Sequence, residues 1–311
     1  MHLNPGFLQH INHHFSRFFE EETSVSDSYK VEGGDICQAY ALVTNKGKFF
    51  IKLNSALFGL DFFEKEARGL VAMANAGALK VPRPLFDGKF NQQIYLVMEW
   101  LENTTASNGF WKNFGYAMAG MHKNSNDQFG LEHDNYIGKL HQLNNRTDLW
   151  SEFYSRQRIM PLVSKAYKQS LLQAEDVDMA EQVCRKIDSI IPSEKPALLH
   201  GDLWKGNFMA IENNQAAIFD PAVYYGHREM DLAMTMLFGG FDEEFYDAYG
   251  EVYPQQPGFS ERKEIFQLYP LLVHLLLFGG PYYMPVKRSS KNTVDHPTKF
   301  LLLPFSYKAQ I

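Results

Sequence analysis

Residues 199–207 read Leu-His-Gly-Asp-Leu-Trp-Lys-Gly-Asn, and this stretch carries the strongest chemical pattern in the sequence. It begins at the end of a short apolar run, which predicts a buried strand that stops where the polar residues start. Asp202 is followed five residues later by Asn207. The first residue offers a carboxylate that can accept a proton, and the second offers an amide oxygen that can bind a hard cation such as magnesium.

A second carboxylate, Asp220, ends another apolar run thirteen residues after Asn207. The residues between them read as a short hairpin, 208–219, which would bring Asn207 and Asp220 close together. Protein kinases keep a base, an amide ligand and their main metal-binding carboxylate in this order. Either aspartate alone could simply cap a turn. Together they predict a phosphotransferase in which Asp202 is the catalytic base and Asn207 and Asp220 bind Mg²⁺.

Lys52 lies near the end of a predicted apolar strand, as the ATP-anchoring lysine of kinases does. A helix is predicted next, from Asp61 as its N-cap to about Ala74. Glu66 lies on this helix beside the apolar stripe, and Glu64 is the alternative partner for the lysine. An ion pair between Lys52 and Glu66 would hold the lysine against the α- and β-phosphates of ATP.

Two further segments are predicted to contact the nucleotide through their backbones. Gly33 and Gly34 lie about twenty residues before the lysine, where a glycine-rich loop could cover the phosphates closely because no Cβ intervenes. Glu99 and Leu101 lie in a connector after an apolar strand, where their backbones would offer an acceptor and a donor to adenine.

The chain becomes mainly helical after about residue 105, with helices predicted at 109–123, 148–167, 174–191, 229–237 and 260–278. The fold class predicted is α+β, a bilobal protein-kinase-like fold with its site in the cleft. Its lobes are a strand-rich, ATP-clamping lobe at 1–103 and a helical catalytic and acceptor-binding lobe at 104–280. Asp231 lies near the start of a helix and is predicted to brace the catalytic loop. Arg156 and Arg158 read as surface charges.

The composition argues against several classes of protein. A net charge of −6 over 311 residues disfavours a nucleic-acid binder that relies on a broad basic surface. Two cysteines, Cys37 and Cys184, cannot form a disulfide framework and indicate a reducing compartment. The longest apolar stretch, 266–278, is too short to span a bilayer, and the first residues lack the features of a secretory signal. We expect a cytoplasmic protein with neither a nucleic-acid nor a membrane partner.

Several motifs resemble those of the fructosamine kinase (ketosamine kinase) family, whose relatives are the aminoglycoside and choline phosphotransferases. Trp204 is the distinctive residue of the first motif, since protein kinases commonly have lysine at that position. The motifs are Leu199–Asn207, Phe219–Ala222, Tyr225–Ala233, Phe238–Phe241, Met121–His122, Phe129–Gly130 and Arg156–Arg158.

The resemblance implies ATP-dependent, magnesium-dependent phosphorylation of a small-molecule ketosamine, which is an amine glycated by glucose or ribose. The acceptor in that family is the 3-hydroxyl of the sugar, and the phosphate formed is unstable, so that the amine is released and deglycated. The residues named above would keep their roles. Trp204 would line the acceptor pocket and stack on the sugar or the amine.

Two features depart from the family pattern. Lys205 replaces a small serine, and the resemblance is lost after about residue 280. Residues 281–311 therefore read as irregular, and either a divergent tail or a frameshifted reading frame would produce this. Two other functions stay open at this point. The chain could phosphorylate another small hydroxyl compound, such as an aminoglycoside or choline, or it could be a pseudokinase that only binds nucleotide.

Overall fold

The first part of the chain forms a five-stranded antiparallel sheet in a computed structural model that describes residues 3–31 and 36–295. The strands are β1 (Val25–Val31), β2 (Gln38–Thr44), β3 (Gly47–Ser55), β4 (Pro84–Phe90) and β5 (Gln93–Glu99). Their order across the sheet is β1-β2-β3-β5-β4, so β3 lies at the centre. β2 and β3 meet at a tight turn in which Gly47 has a φ of +108°, a conformation that favours glycine.

Two helices cover the two faces of this sheet. Helix α1 (Pro5–Phe19) buries Phe7, Ile11 and Phe15, whose four-residue spacing forms one apolar stripe. The stripe packs on the face that carries Val97, while α2 (Phe62–Asn75) packs on the opposite face beside Leu96. Side chains that alternate along β5 therefore contribute to two separate hydrophobic cores. Helix α1 was not among the elements predicted from the sequence.

Asp61 precedes α2 as predicted but does not cap it, since its side chain makes no capping hydrogen bond. The carboxylate instead pairs with Lys65 at 2.7 Å and accepts a hydrogen bond from the hydroxyl of Tyr136 at 3.0 Å. The prediction of a side-chain cap was therefore wrong, because a tertiary partner competes for the carboxylate.

The rest of the chain is mainly helical, with three two-stranded sheets inserted between the helices. The helices are α3 (Phe110–His122), α4 (Trp150–Phe153), α5 (Met160–Lys168), α6 (Ala174–Ile190), α7 (Glu229–Thr235), α8 (Glu243–Val252), α9 (Phe259–Phe278) and α10 (Tyr283–Asp295). The paired strands are β6 (Asn135–Ile137) with β7 (Leu140–Gln142), β8 (Ala197–Leu199) with β11 (Tyr224–Gly226), and β9 (Phe208–Ile211) with β10 (Gln215–Ile218). This arrangement confirms the predicted α+β class and the predicted hairpin between Asn207 and Asp220. Within the described ranges, none of the helices combines the length and the apolar character that a membrane span requires.

The helix predicted at 148–167 is interrupted by a π-helical segment, Tyr154–Ile159, just before Pro161. Proline has no N–H to offer the carbonyl four residues earlier. The guanidinium of Arg158 donates to that carbonyl, on Gln157, at 3.1 Å. Arg158 is fully buried and lies over the ring of Tyr224 at 4.0 Å, so its prediction as a surface charge was wrong.

Residues 283–295 form a helix, which corrects the prediction of an irregular tail for this part of the chain. The buried positions of α10 are Val286, Ser289, Ser290 and Thr293, which lie on one helical face but include only one strongly apolar residue. Ser289 Oγ donates to the backbone oxygen of Glu264 in α9 at 2.7 Å. Small hydroxyl side chains form this interface, so a search for apolar periodicity does not detect it. Residues 296–311 lie outside the described part of the chain.

Candidate active site

The loop between β8 and β9 carries Asp202 and is held by backbone-directed hydrogen bonds. His200 donates through Nε2 to the carbonyl of Phe219 at 2.9 Å and accepts at Nδ1 from the backbone N–H of Asp202 at 3.2 Å. Burial lowers the pKa of His200, which agrees with a neutral ring that donates on one side and accepts on the other. A Cβ on Gly201 would lie 2.1 Å from the carbonyl oxygen of Ala222, so only glycine fits here.

Asn207 contacts Asp202 directly. Its Nδ2 donates to the backbone oxygen of Asp202 at 2.8 Å and to the carboxylate Oδ2 at 3.2 Å. Burial, reinforced by the charge of Asp220, raises the pKa of Asp202 to about 7, although the hydrogen bond from Asn207 opposes the shift. A carboxylate in this environment is suited to accept a proton near neutral pH.

Lys52 connects the sheet to the catalytic loop region. Its Nζ lies 2.7 Å from Glu66 Oε1 and 2.9 Å from Asp220 Oδ1. Burial alone would lower the pKa of Lys52, but the carboxylates of Asp220 and Glu66 raise it above its ordinary value, so the amine stays charged. The predicted ion pair with Glu66 is present, and the alternative partner, Glu64, pairs with Arg68 on the exposed side of α2.

The predicted metal ligands present oxygens that no protein group occupies in the described part of the chain. Asn207 uses its Nδ2 for Asp202, and its Oδ1 has no hydrogen-bond partner there. Asp220 pairs with Lys52 through Oδ1, which leaves Oδ2 available. The described residues contain no cluster of three or more His, Cys, Asp or Glu side chains suited to a metal. Two hard oxygens nevertheless fit magnesium, which takes its remaining ligands from phosphates and water.

Asp231 lies beneath the catalytic loop. Its Oδ2 accepts the backbone N–H of His200 at 2.7 Å, and its Oδ1 accepts the N–H of Gly201 at 2.9 Å. His122 contributes a further contact to Oδ2 at 3.2 Å and is itself bonded to the hydroxyl of Tyr249. The bracing position predicted for Asp231 thus corresponds to two short hydrogen bonds. His122 was noted only as a motif residue, and its place in this network was not anticipated.

Lys52, Glu66, Asp202, Asn207 and Asp220 line one cleft with a cavity of about 410 Å³. Trp204 lies in its wall, half-buried, with its indole over the backbone of Gly206, where a Cβ would approach the ring to 2.5 Å. Its ring meets Phe238 edge to face at 6.3 Å. The indole therefore faces the cavity and is not buried in the core of the helical part.

An aromatic wall beside Trp204 was missed by the sequence reasoning. Phe238, His274 and Tyr282 all line the cavity, and the His274 ring lies 4.6 Å from Phe238 and 5.0 Å from Tyr282. The sequence feature that could have indicated this wall is His274, a histidine inside the long apolar run of α9 that a purely hydrophobic helix would not need.

Four predicted nucleotide contacts remain without a direct observation. Gly33 and Gly34 lie outside the described residues. Glu99 and Leu101 are described but do not line the cavity. The Glu99 carboxylate pairs with Lys80 at 2.7 and 2.8 Å, a contact separate from the backbone contact that was predicted.

Comparisons with known proteins agree with this geometry. The sequence profile of the fructosamine kinase family matches residues 7–296. A protein of Synechocystis sp. named as a probable ketoamine kinase is 36% identical over 289 residues, which are 93% of this chain and 97% of the relative. The family match extends past residue 280, so the predicted loss of resemblance at that point was wrong.

Solved structures show the same relationship. A candidate fructosamine-3-kinase from Haemophilus somnus 129PT is 25% identical, with a TM-score of 0.84 that covers 91% of this chain and 96% of the other. The aminoglycoside phosphotransferase APH(4)-Ia, in a complex with ADP and hygromycin B, is 15% identical with a TM-score of 0.61, covers 91% of this chain and 98% of its own, and shows the shared fold. This chain belongs to the fructosamine kinase family, a family of phosphotransferases with a protein-kinase-like fold.

Proposed function

We propose that this protein transfers the γ-phosphoryl group of ATP to the 3-hydroxyl of a ketosamine, with magnesium as the cofactor. The observation that carries the proposal is the convergence of Asp202, Asn207 and Asp220 with the Lys52–Glu66 pair on one cleft. Phosphoryl transfer depends mainly on positioning and charge stabilisation, which this set can supply.

The nucleotide would bind between the sheet and the catalytic loop. Lys52, fixed by Glu66, would contact the α- and β-phosphates. The backbones of Gly33 and Gly34 would cover the phosphates, and those of Glu99 and Leu101 would bind adenine. Asn207 Oδ1 and Asp220 Oδ2 would hold magnesium, which when bound neutralises charge on the phosphates.

The chemical step would require Asp202 to accept the proton of the sugar hydroxyl. The hydroxyl oxygen then forms a bond to the γ-phosphorus as the bond from that phosphorus to the β,γ-bridging oxygen breaks, and ADP leaves. Asp231 would keep the loop in place through its bonds to the backbone of His200 and Gly201. Trp204 would stack on the sugar or on the amine substituent.

The biological consequence would be deglycation, because the phosphorylated ketosamine is unstable and releases its amine. Since the reacting groups line one cleft with a cavity of about 410 Å³, the partner we propose is a small glycated amine, with no nucleic acid or membrane involved. The compartment we propose is the cytoplasm, which suits two free cysteines.

The test is ADP production by the purified protein with one acceptor at a time. The acceptors are a fructosamine, a ribulosamine, an aminoglycoside, choline and a blank without acceptor. We expect turnover with the first two at rates well above the blank, and loss of that turnover in Asp202→Asn. A preference for the aminoglycoside or choline would replace the proposed acceptor class, and nucleotide binding without turnover on any acceptor would indicate a pseudokinase.

A further inference from the structure

The segment that follows Asp220 has no strand partner of its own. Residues 221–223 are irregular, and β11 begins only at Tyr224. Backbone carbonyls in such a buried segment need hydrogen-bond donors from elsewhere. Ala222 and Val223 are both buried, so the source of their donors determines how firmly this part of the site is held.

Side chains of the β6–β7 hairpin supply those donors. Asn135 Nδ2 donates to the carbonyl of Val223 at 2.8 Å, and Gln142 Nε2 donates to the carbonyl of Ala222 at 3.1 Å. Two consecutive carbonyls after the proposed metal ligand are therefore bound by one hairpin. On the other side, the N–H of Ala222 donates to the carbonyl of His200 at 2.8 Å, which connects the segment to the catalytic loop.

Asn135 is the centre of a buried polar network. Its Oδ1 accepts from Gln142 Nε2 at 2.8 Å and from Asn144 Nδ2 at 2.9 Å. Tyr269 donates to Gln142 Oε1 at 2.7 Å, and Arg158 donates to Asn144 Oδ1 at 2.8 Å. Asn135, Gln142, Asn144 and Arg158 are all at least 95% buried. Paired groups of this kind fix one geometry, because a displaced member would leave its partners unsatisfied.

Asp220 itself requires such support. It has a φ of +57°, a left-handed conformation that non-glycine residues rarely adopt and that persists only where the surroundings hold it. The carbonyls that Gln142 and Asn135 bind belong to Ala222 and Val223, two and three residues after Asp220. We propose that Asn135 is a positioning residue, which acts through the carbonyl of Val223 to hold Asp220 in the orientation that binds magnesium.

This inference rests on the proposed role of Asp220 as a magnesium ligand. Outer residues that orient a metal ligand typically change metal affinity or activity by about 10–100-fold when they are replaced. For Asn135→Ala we expect the Mg²⁺ concentration at half-saturation to rise about tenfold and kcat to fall. Asn135 also lines the cavity, but the KM for the acceptor should rise less than the Mg²⁺ requirement, because the aromatic side chains of Trp204, Phe238, His274 and Tyr282 stay in place.

The experiment measures Mg²⁺-dependent binding of a non-hydrolysable ATP analogue by calorimetry, together with kcat, KM and a thermal melt. Asn145→Ala is the matched control, because Asn145 is an exposed asparagine beside the same hairpin, and among the described residues its side chain hydrogen-bonds to Gln157 alone. If Asn135→Ala does not fold, Asn135→Ser, which keeps a short polar side chain, is measured in the same way.

The outcomes separate this inference from the proposed function when Asp220→Asn is measured in parallel. A higher Mg²⁺ concentration at half-saturation in both Asp220→Asn and the Asn135 variant, with Asn145→Ala unchanged, supports the inference. An effect in Asp220→Asn alone, with the Asn135 variant showing only a lower Tm, overturns the inference and leaves the proposed metal site intact. Unchanged Mg²⁺ dependence in Asp220→Asn overturns the metal assignment and the inference with it.

Discussion

Asp202 belongs to the catalytic loop and lines the cleft, whereas Asp231 belongs to α7 and lies beneath that loop. The two residues differ in how fully their carboxylates are paired. Asp231, on the underside, accepts hydrogen bonds from two backbone N–H groups and contacts His122. Asp202, on the cleft side, receives one side-chain hydrogen bond, from Asn207 at 3.2 Å. Both residues are largely removed from water, so burial alone does not distinguish a supporting carboxylate from a reactive one.

The same difference extends to the neighbouring charges. Beneath the loop, Glu229 pairs with Arg262 at 2.7 Å and Arg228 pairs with Glu194 at 2.8 Å, all inside the protein. In the cleft, the Oδ1 of Asn207 and the Oδ2 of Asp220 have no protein partner among the described residues. The supporting layer therefore uses its charges to hold the structure, whereas the cleft keeps oxygens available for ligands.

The two aspartates should differ most in their effect on catalysis. Asp202→Ala should lower kcat by about 10²–10⁴-fold, because the proton acceptor is lost, while nucleotide affinity stays close to that of the wild type. Steady-state kinetics and calorimetry measure both quantities. Asp127→Ala removes an exposed aspartate and should change neither. Near-normal turnover in Asp202→Ala would remove this residue from the mechanism.

Replacing Asp231, which lies beneath the loop, should mainly lower the stability of the protein. Asp231→Ala leaves the buried N–H groups of His200 and Gly201 without their acceptor, at a cost of about 1–3 kcal/mol each. We expect a clear drop in the free energy of unfolding, measured by urea titration, and a smaller one for Asp202→Ala. If the two variants were equally stable, the distinction between a paired and a reactive carboxylate would fail.

An intermediate effect, on the KM for the acceptor, is expected when Trp204 in the cavity wall is replaced. Trp204→Ala should raise the KM for the ketosamine by about tenfold, since the loss of an aromatic contact typically costs about 1 kcal/mol or slightly more. ATP affinity and Tm should change little, because the ring is only half-buried. Trp150→Ala, which removes a buried tryptophan, is the contrast and should lose roughly 3–5 kcal/mol of stability. A large drop in Tm for Trp204→Ala with an unchanged acceptor KM would contradict the pocket role.

The smallest effect concerns a charge outside both regions. Arg156 is 74% exposed and pairs with Glu152 one helical turn away. Arg156→Ala should change the free energy of unfolding by less than about 0.5 kcal/mol, because exposed pairs of this kind contribute little. A double-mutant cycle with Glu152→Ala measures the coupling. A coupling above 1 kcal/mol would show that exposed pairs matter here as much as the buried ones.

Helical phase was enough to predict the Lys52–Glu66 pair. Glu66 follows Phe63 by three residues and precedes Leu70 by four, and both of these are buried, so Glu66 had to lie near the sheet. Glu64 points to the other side and meets Arg68. Helical phase could not predict that Arg158 is buried, because the residues that enclose its guanidinium come from other elements, including Tyr224 and Tyr269.

Contacts between residues that lie close together along the chain could be predicted from the amino-acid sequence. Asp202 and Asn207 lie in the same loop, and the β9–β10 hairpin joins Asn207 to Asp220, so the composition of a short segment was enough to predict that the three converge. Contacts between distant segments became known from the fold, such as the hydrogen bond between Asn135 and Val223, which are 88 residues apart. Such pairs leave no local pattern, since a buried asparagine and an exposed one look alike until the fold brings a carbonyl to one of them. The residues that support the site could therefore be found only in the folded structure, whereas the residues that carry its proposed chemistry could be predicted from the sequence.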